Sequence, residues 1–272
     1  MQPDDLDDKT FQQFVELIYE KAGIHMGPHK RALVTSRLAK RMRQLGIEDF
    51  RTYYERIRQD TTHTELVNLL DAISTNVTEF YRESRHFDLL QELLTKWEAQ
   101  GQKRFRLWSA ACSSGEEPYT IAITAKRSLN NTSDTRILAT DISTQVLEKA
   151  QQGEYEEKRL EGVPGQALQR YFSKCRNGAG SRYKVSEDIR NMITFARLNL
   201  STPPFPMQGP FDVIFCRNVM IYFDNDVRRR LLDEMHRLLK PNGFLMVGHS
   251  ESLSGILSEF KIVEPAVYRK AT

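Results

Sequence analysis

The chain has little of what stabilises secreted, metal-binding or membrane-embedded proteins. It contains three cysteines, Cys112, Cys175 and Cys216, with no C-x-x-C pair, and no H-E-x-x-H motif. This argues against a disulfide framework and a metal site, and is typical of a reducing cytosol. Mean hydropathy is −0.53 and no apolar run reaches about 18 residues, so we expect no membrane span. The acidic N-terminus does not resemble a signal peptide, and we predict a cytoplasmic protein without metal or direct membrane insertion.

Net charge is also low, at +3, so overall electrostatics do not indicate nucleic acid as a partner. The 272 residues are enough for two domains. From about residue 9 to residue 95, apolar side chains such as Phe11, Phe14 and Ile18 recur at helical spacing. We therefore predict a helical domain over residues 1–75, a linker and connecting helix over 76–103, and a second domain over 104–272.

The second domain alternates strand candidates with helical segments, which predicts an α/β fold with a mostly parallel sheet covered on both faces. The strand candidates are 105–110, 137–141, 193–200, 213–216, 244–248, 260–263 and 267–268. The last two resemble a β-hairpin. Residues 153–190 do not fit the alternation, and the glycine-bearing turn at 177–180 predicts a small β-subdomain inserted at about 174–190. Such an insertion is either decoration or a partner site, and the sequence leaves both readings open.

The loop after the first strand candidate indicates a nucleoside site. It consists of small residues, and a helix begins at Glu116-Glu117-Pro118. A second strand ends in Asp141, whose carboxylate can accept both hydroxyls of a ribose. The loop holds one glycine where a dinucleotide fingerprint needs three, and its two acids would repel a pyrophosphate. A nucleoside with a positively charged substituent fits better, and S-adenosylmethionine has that character.

A basic segment precedes these motifs. Residues 21–58 hold ten Lys and Arg against three acids, a net charge of +7. Lys30, Arg37, Lys40 and Arg41 share one helix face, opposite an apolar stripe. This is either a solvated helix face or a docking surface for an acidic partner. Because no aromatic residues interleave with the charges as base stacking requires, a protein partner is favoured over nucleic acid.

Two further segments place polar residues in apolar settings. Asn76, Thr78 and Arg82 lie at the predicted domain junction, where ligand sites are frequent, although a helix cap is the plainer explanation. Arg217 and Asn218 follow a buried strand, at the edge where α/β sheets bind ligands. This point lacks the N/D-P-P-Y/F motif of amino-adenine methyltransferases, and residues 248–252 lack the final glycine of a hydrolase elbow.

Taken together, four segments resemble the CheR family of chemoreceptor glutamate O-methyltransferases over nearly the whole chain. They are 74–83, 108–119, 215–224 and 248–252. The resemblance implies a class I S-adenosylmethionine methyltransferase (Rossmann-like) sheet with an N-terminal helical domain and an inserted β-subdomain. It implies that Arg82 and Tyr222 are catalytic. It also implies cofactor contacts at Asn76, Thr78, Arg82, Glu116, Asp141, Asn199, Leu200, Arg217 and Asn218.

The resemblance further implies a function in chemotaxis signalling. Such an enzyme transfers a methyl group from S-adenosylmethionine to glutamates of chemoreceptor cytoplasmic helices, leaving S-adenosylhomocysteine and a glutamate methyl ester. Lys30, Arg37, Lys40 and Arg41 would dock the receptor, and the β-subdomain would be the place for a receptor C-terminal peptide. An RNA methyltransferase and a non-catalytic S-adenosylmethionine-binding signalling module remain as alternatives.

Overall fold

The N-terminal part of the chain is helical. The computed structural model describes residues 5–176, 181–251, 253 and 259–271, and of Arg176 the backbone alone. The first four helices are α1 (Asp8–Ala22), α2 (Arg31–Leu45), α3 (Phe50–Gln59) and α4 (Thr64–Ile73), with a 3₁₀ turn at Pro28–Lys30. Helix α1 begins where the Asp7 carboxylate accepts from the Thr10 backbone N–H at 3.0 Å, and it ends at Gly23 with φ 66°. Its Phe14 and Ile18 are fully buried.

The rest of the chain alternates strands and helices. Its remaining helices are α5 (Arg85–Ala99), α6 (Glu116–Ser128), α7 (Thr144–Gln152), α8 (Gly165–Tyr171), α9 (Glu187–Arg190) and α10 (Asn225–Leu238), with 3₁₀ turns at Glu157–Leu160 and Met220–Tyr222. Its strands are β1 (Arg104–Ser109), β2 (Asp134–Asp141), β3 (Glu154–Glu156), β4 (Phe172–Arg176), β5 (Ser181–Val185), β6 (Ile193–Arg197), β7 (Phe211–Cys216), β8 (Leu239–Val247), β9 (Phe260–Glu264) and β10 (Val267–Lys270).

Seven strands form one sheet, in the order β6-β2-β1-β7-β8-β10-β9. The first five are parallel to one another, whereas β10 is antiparallel to both β8 and β9. The predicted α/β fold with a terminal hairpin is thus confirmed. Chain order reverses between β1 and β7, and the crevice at such a reversal is the usual ligand site of an open α/β sheet.

Several strand boundaries differ from the sequence-based expectation, among them the end of β6 and the start of β8. Strand β6 ends at Arg197, so Asn199 and Leu200 lie in the loop that follows, where Ser201 donates to the Asn199 side chain. Strand β8 begins at Leu239, before the expected residue 244, because Leu239 already pairs with Phe211. Between these pairs the register shifts, which accommodates the turn-forming residues 240–243 as a bulge.

Strands β3, β5 and β4 form a separate antiparallel sheet of three strands. Strand β3 lies before the segment predicted for the insertion at about 174–190, and it belongs to this sheet because its Tyr155 pairs with Tyr183, 28 positions further along the chain. The Phe80 ring packs edge-on against the rings of Tyr155 and Phe172, with ring centres 5.0 and 5.6 Å apart, respectively. These contacts fix the small sheet against the linker. The turn at 177–180 lies outside the described residues.

Two main apolar cores cover the two faces of the large sheet. One combines the N-terminal helices and α10 with Trp108, Ile214 and Leu245 of the sheet. The other joins α5 and α6 to the opposite face, through residues such as Leu107 and Phe215. The helical part therefore shares a core with the sheet, which places it beside the sheet's carboxyl edge. Within the described ranges, no helix is long and apolar enough to cross a membrane.

Candidate active site

A cavity of about 990 Å³, open mouth included, lies at the carboxyl edge of the large sheet. The wall comprises the end of α1 and the residues after it, the linker, the strand ends and the loop after β7. Its residues are Ala22, Ile24, Met26, Ile73–Glu79, Arg82, Ala110, Ala111, Ser113, Glu117, Asp141, Ile142, Leu198–Leu200, Arg217–Val219, Tyr222 and Phe223. The apolar contribution of the N-terminal helices has no counterpart in the sequence-based site.

Asp141 ends β2 in this wall, as its strand-end position predicts. The backbone N–H groups of Ser113 and Ser143 donate to its two carboxylate oxygens, at 2.9 and 3.0 Å. Burial raises the pKa of Asp141, and these hydrogen bonds act in the opposite direction. Because each oxygen keeps a lone pair, the oriented carboxylate can still accept two neighbouring hydroxyls.

The small-residue loop between β1 and α6 approaches its neighbours too closely for larger side chains. Gly115 has φ 98°, and a Cβ there would lie 2.8 Å from the Tyr155 hydroxyl. That hydroxyl donates to the Ser114 carbonyl at 2.7 Å. Ser113 has φ 47° and its hydroxyl donates to the Asn76 carbonyl at 3.0 Å, which ties the loop to the linker.

The two adjacent acids at the start of α6 face different surroundings. Glu116 is fully buried, accepts from the Ser114 hydroxyl at 2.7 Å and forms an ion pair with Arg159. Its side chain does not line the cavity, unlike that of Glu117. Glu117 accepts from the Ser109 hydroxyl at 2.7 Å, and burial raises the pKa of Glu117. Of the two acids, Glu117 therefore lines the cavity, and its carboxylate is already paired with Arg217; the sequence analysis did not select it.

Arg217 braces the cavity wall from β7. Its guanidinium donates to Glu117 Oε2 at 3.1 Å, to Glu83 Oε2 at 3.0 Å and to the Arg82 carbonyl. Glu83 has φ 54°, so this ion pair holds a residue whose backbone is strained. Arg217 thereby fixes the segment that presents Arg82, in addition to lining the cavity itself.

Arg82 and Tyr222 contribute to the same cavity from different segments. One Arg82 Nη donates to the Val77 carbonyl at 3.0 Å, so the linker fixes the direction of the guanidinium. The Tyr222 carbonyl accepts from the His25 backbone N–H at 2.8 Å, and the Lys30 ammonium lies 5.4 Å from the centre of the Tyr222 ring. The structure thus brings together both residues for which the sequence predicts a catalytic role.

The loop that carries Asn218 and Tyr222 is held by Glu251. This buried carboxylate accepts from the backbone N–H groups of Asn218 and Gly248, both at 2.7 Å, and of Ile221 at 3.3 Å. Burial raises the pKa of Glu251 and the three donors oppose the shift. Asn218 has φ 58°, a conformation that these hydrogen bonds help to maintain. Sequence reasoning missed this role, since it used residues 248–252 only to exclude a hydrolase elbow and to support the family resemblance.

Two of the predicted docking cations on the basic helix α2 are engaged by other parts of the molecule. Arg37 donates to the carbonyls of Ile73 and Ser74 and to the Thr75 hydroxyl, the last two at 3.0 and 3.1 Å. It therefore positions the linker that carries Asn76 and Thr78 into the cavity wall. Arg41 forms two hydrogen bonds, at 2.9 and 2.7 Å, with the carboxylate of Glu65.

The other two predicted docking cations are freer. Lys40 is exposed and has no hydrogen bond or ion pair within the described part of the chain. Lys30 is half-buried beside Tyr222, at the cavity. A docking surface here would therefore rest on Lys40 of α2 and on Lys30 of the preceding 3₁₀ turn, because Arg37 and Arg41 are already bound to neighbouring segments.

Asn199 and Leu200 line the cavity from the loop after β6. The Asn199 amide donates to the Lys21 carbonyl at 2.7 Å, and its oxygen accepts from the Ser201 hydroxyl at 2.9 Å. Both ends of this side chain are thus engaged by the protein, so a ligand contact here would fall to its backbone. Leu200 is buried and offers an apolar surface.

One group of potential metal ligands lies next to the Arg217 network. Ligand atoms of Glu83, His86 and His249 lie within 4.8 Å of one another. Glu83 is already neutralised by Arg217, which would oppose a cation at this point. Burial lowers the pKa of His86 to about 4, so its imidazole is neutral near pH 7.

Comparison with known proteins identifies the family. A family model described as CheR methyltransferase, SAM binding domain, matches residues 76–269, and one described as CheR methyltransferase, all-alpha domain, matches residues 9–74. A chemotaxis protein methyltransferase of Salmonella typhimurium is 39% identical over 264 residues, 97% of this chain and 90% of the relative. Those of Escherichia coli (39%; 97% and 91% covered) and Borreliella burgdorferi (37%; 95% and 93% covered) are similarly close.

Proposed function

Because this chain belongs to the CheR methyltransferase family, and so is an S-adenosylmethionine-dependent methyltransferase, we propose that it methylates glutamate side chains in the cytoplasmic helices of chemoreceptors. The observation that carries the proposal is the convergence of Asp141, Glu117, Arg82 and Tyr222 on one open cavity. This set suits a cationic nucleoside and an incoming carboxylate. Because these receptor helices lie in the cytoplasm, the proposal also places this protein there.

The cavity fits the cofactor on its own chemistry. The Asp141 carboxylate is oriented to accept a ribose hydroxyl pair, and the Glu117 carboxylate, held by Arg217 and Ser109, lines the same cavity on the side of the β1–α6 loop. Leu200 and Ile142 supply apolar area for a base. When bound, S-adenosylmethionine supplies an electrophilic methyl group on a sulfonium. Asn76 and Thr78 complete the wall on the linker side.

Within this site the protein's task is orientation. An acceptor glutamate is ionised near pH 7, with a reference pKa of about 4.3, so no general base is required. The bound cofactor would supply the methyl group and an acceptor carboxylate oxygen would take it, with the electron pair of the broken sulfur–carbon bond left on sulfur. Charges cancel along this path, so a water-poor site favours it, and alignment contributes up to roughly 7–11 kcal/mol.

Two side chains are assigned to that alignment. Tyr222 would donate one hydrogen bond to the acceptor carboxylate from the loop that Glu251 holds. Arg82 would orient cofactor and acceptor, since its guanidinium is directed by the Val77 carbonyl. A tight ion pair between Arg82 and the attacking oxygen would reduce nucleophilicity, which favours orientation over direct activation.

The β-subdomain remains the proposed place for a receptor C-terminal peptide. Its strands β3, β5 and β4 form a separate sheet that packs against Phe80 of the linker. An isolated antiparallel sheet with an edge strand is suited to binding an extended peptide by strand addition. The strand β4, at one edge of this sheet, is the candidate for that pairing.

One experiment tests the proposed function. The protein is incubated with methyl-labelled cofactor and either a chemoreceptor cytoplasmic fragment or RNA, and base-labile methyl ester is measured. We expect label on the receptor fragment alone, and its loss in Tyr222→Phe. Label on RNA would identify the RNA methyltransferase alternative, and cofactor binding without transfer to either acceptor would identify a non-catalytic binding module.

A further inference from the structure

Two exposed apolar side chains stand beside the proposed catalytic residues. Val77 is 76% exposed and Ile221 is 43% exposed. Val77 belongs to the linker that lines the cavity, and its carbonyl accepts from Arg82. Ile221 directly precedes Tyr222 in the 3₁₀ turn Met220–Tyr222. Val77 is thus hydrogen-bonded to the proposed catalytic residue Arg82, and Ile221 is adjacent in sequence to the proposed catalytic residue Tyr222.

Hydrogen bonds order the backbone at or next to both exposed residues. The Ile221 N–H donates to the buried Glu251 carboxylate at 3.3 Å. On either side of Val77, the Asn76 carbonyl accepts from Ser113 and Thr75 is held by Arg37. Because the backbone at these positions is already ordered, covering them costs little further backbone entropy. Rigid apolar groups at the rim of a polar site are typical of an interaction surface.

The charge at this rim indicates what covers it. The Lys30 ammonium lies over the Tyr222 ring, 5.4 Å from its centre, and the Arg82 guanidinium lines the same cavity. The rim therefore offers the positive charges of Lys30 and Arg82, against the exposed carboxylate of Glu79 in the same lining, together with apolar area. An acidic side chain accompanied by an apolar one matches both features. On an α-helix, residues three or four positions apart project from the same face, with their Cβ atoms about 5–6 Å apart.

We propose that Val77 and Ile221 form an apolar docking rim for the helix that carries the acceptor glutamate, covering an aliphatic side chain three or four residues from it. This inference rests on the proposed function and adds a selection rule to it. A glutamate whose helical neighbours at these spacings are all polar enters the cavity without covering the rim. Such a glutamate is a poor acceptor.

The test compares Ile221→Ser and Val77→Ser with Ile262→Ser, an exposed apolar residue (69%) on strand β9, away from the cavity lining. We expect kcat/KM for a receptor fragment to fall about tenfold in the first two variants, mainly through KM, as at partner-contact residues. Ile262→Ser should match the wild type, and Ile221→Leu, which keeps the apolar area, should retain activity. S-adenosylhomocysteine affinity of Ile221→Ser, measured by calorimetry, should stay within about twofold, because this side chain is not part of the cavity lining.

A second arm changes the acceptor. Replacing the aliphatic neighbour of the methylated glutamate by serine should lower the rate of methyl transfer by the wild-type enzyme. The same replacement should lower the rate for the Ile221→Ser enzyme much less. Equal losses in both enzymes, or rim variants as active as Ile262→Ser, would overturn the rim while leaving the glutamate methyltransferase intact. Absence of any methyl ester with the wild type would remove the proposed function, and the rim with it.

Discussion

Replacing Arg37 by methionine separates two roles for the basic helix. A docking role predicts loss of receptor methylation with unchanged cofactor affinity. The structure predicts loss of cofactor affinity, because the Arg37 guanidinium holds the Ile73 and Ser74 carbonyls and the Thr75 hydroxyl directly before Asn76. Methionine keeps much of the aliphatic stem and removes all three hydrogen bonds.

The magnitude follows from those three hydrogen bonds. A hydrogen bond to a charged donor contributes about 1.5–3 kcal/mol when buried, and water replaces part of it at a half-buried site such as this. We take a total loss of about 2 kcal/mol for ordering the linker. If the cofactor binds only molecules in which the linker is ordered, its dissociation constant for Arg37→Met rises by at most about thirtyfold, and we expect about tenfold.

The assay is calorimetric titration of S-adenosylhomocysteine into Arg37→Met, with Lys40→Met as the matched control. Lys40 lies on the same helix but is exposed, so its replacement removes the same charge without touching the linker. The reasoning is refuted if Arg37→Met binds within twofold of the wild type. Normal cofactor binding with lost receptor methylation would return Arg37 to the docking surface.

Four further changes test other parts of the site. Asp141→Ala should weaken S-adenosylhomocysteine binding at least about tenfold by calorimetry, since a carboxylate that accepts two hydroxyls is lost; unchanged affinity would place the ribose elsewhere. Tyr222→Phe should lower kcat about 10- to 100-fold for one hydrogen bond to a charged acceptor, while urea unfolding stays within about 0.5 kcal/mol; normal turnover would remove Tyr222 from catalysis. Glu251→Gln should cost about 1–3 kcal/mol in urea unfolding, because an amide NH₂ would face backbone donors; wild-type stability would show that these hydrogen bonds contribute nothing net. Burial lowers the pKa of His86 to about 4, below its unfolded value of about 6.5. The free energy of unfolding should therefore be unaffected by His86 above pH 6.5 and should fall between pH 6.5 and 4, by at most about 1.4 kcal/mol per pH unit. His86→Phe should remove that slope in urea unfolding, and an unaltered slope would assign it to other groups.

Much of the fold was predictable because its signals are local. Buried strands such as Phe211–Cys216 are mostly apolar, with Asp212 as the exception in this one, and strand-end residues such as Asp141 must reach one edge when the sheet is parallel. Strand β3 was missed since three residues carry almost no periodic signal, and its pairing partner Ser181–Val185 lies far along the chain.

The details of the site depend on contacts between distant residues. Glu116 and Glu117 are equivalent by composition, but successive helix positions point about 100° apart. Which of them faces the cavity is decided by Arg159 and Arg217, 43 and 100 positions away. Likewise, no local pattern shows that Arg37 and Arg41 bind segments 24 to 38 residues further on.

The wall that Ala22, Ile24 and Met26 contribute has a practical consequence for dissection of the molecule. A fragment starting at residue 76 would keep every strand-end polar group yet expose to solvent the sheet face that now packs on α1 and α4. Removing the N-terminal helices is therefore equivalent to opening one side of the binding chamber, and adding them back as a separate peptide should restore ligand retention along with folding.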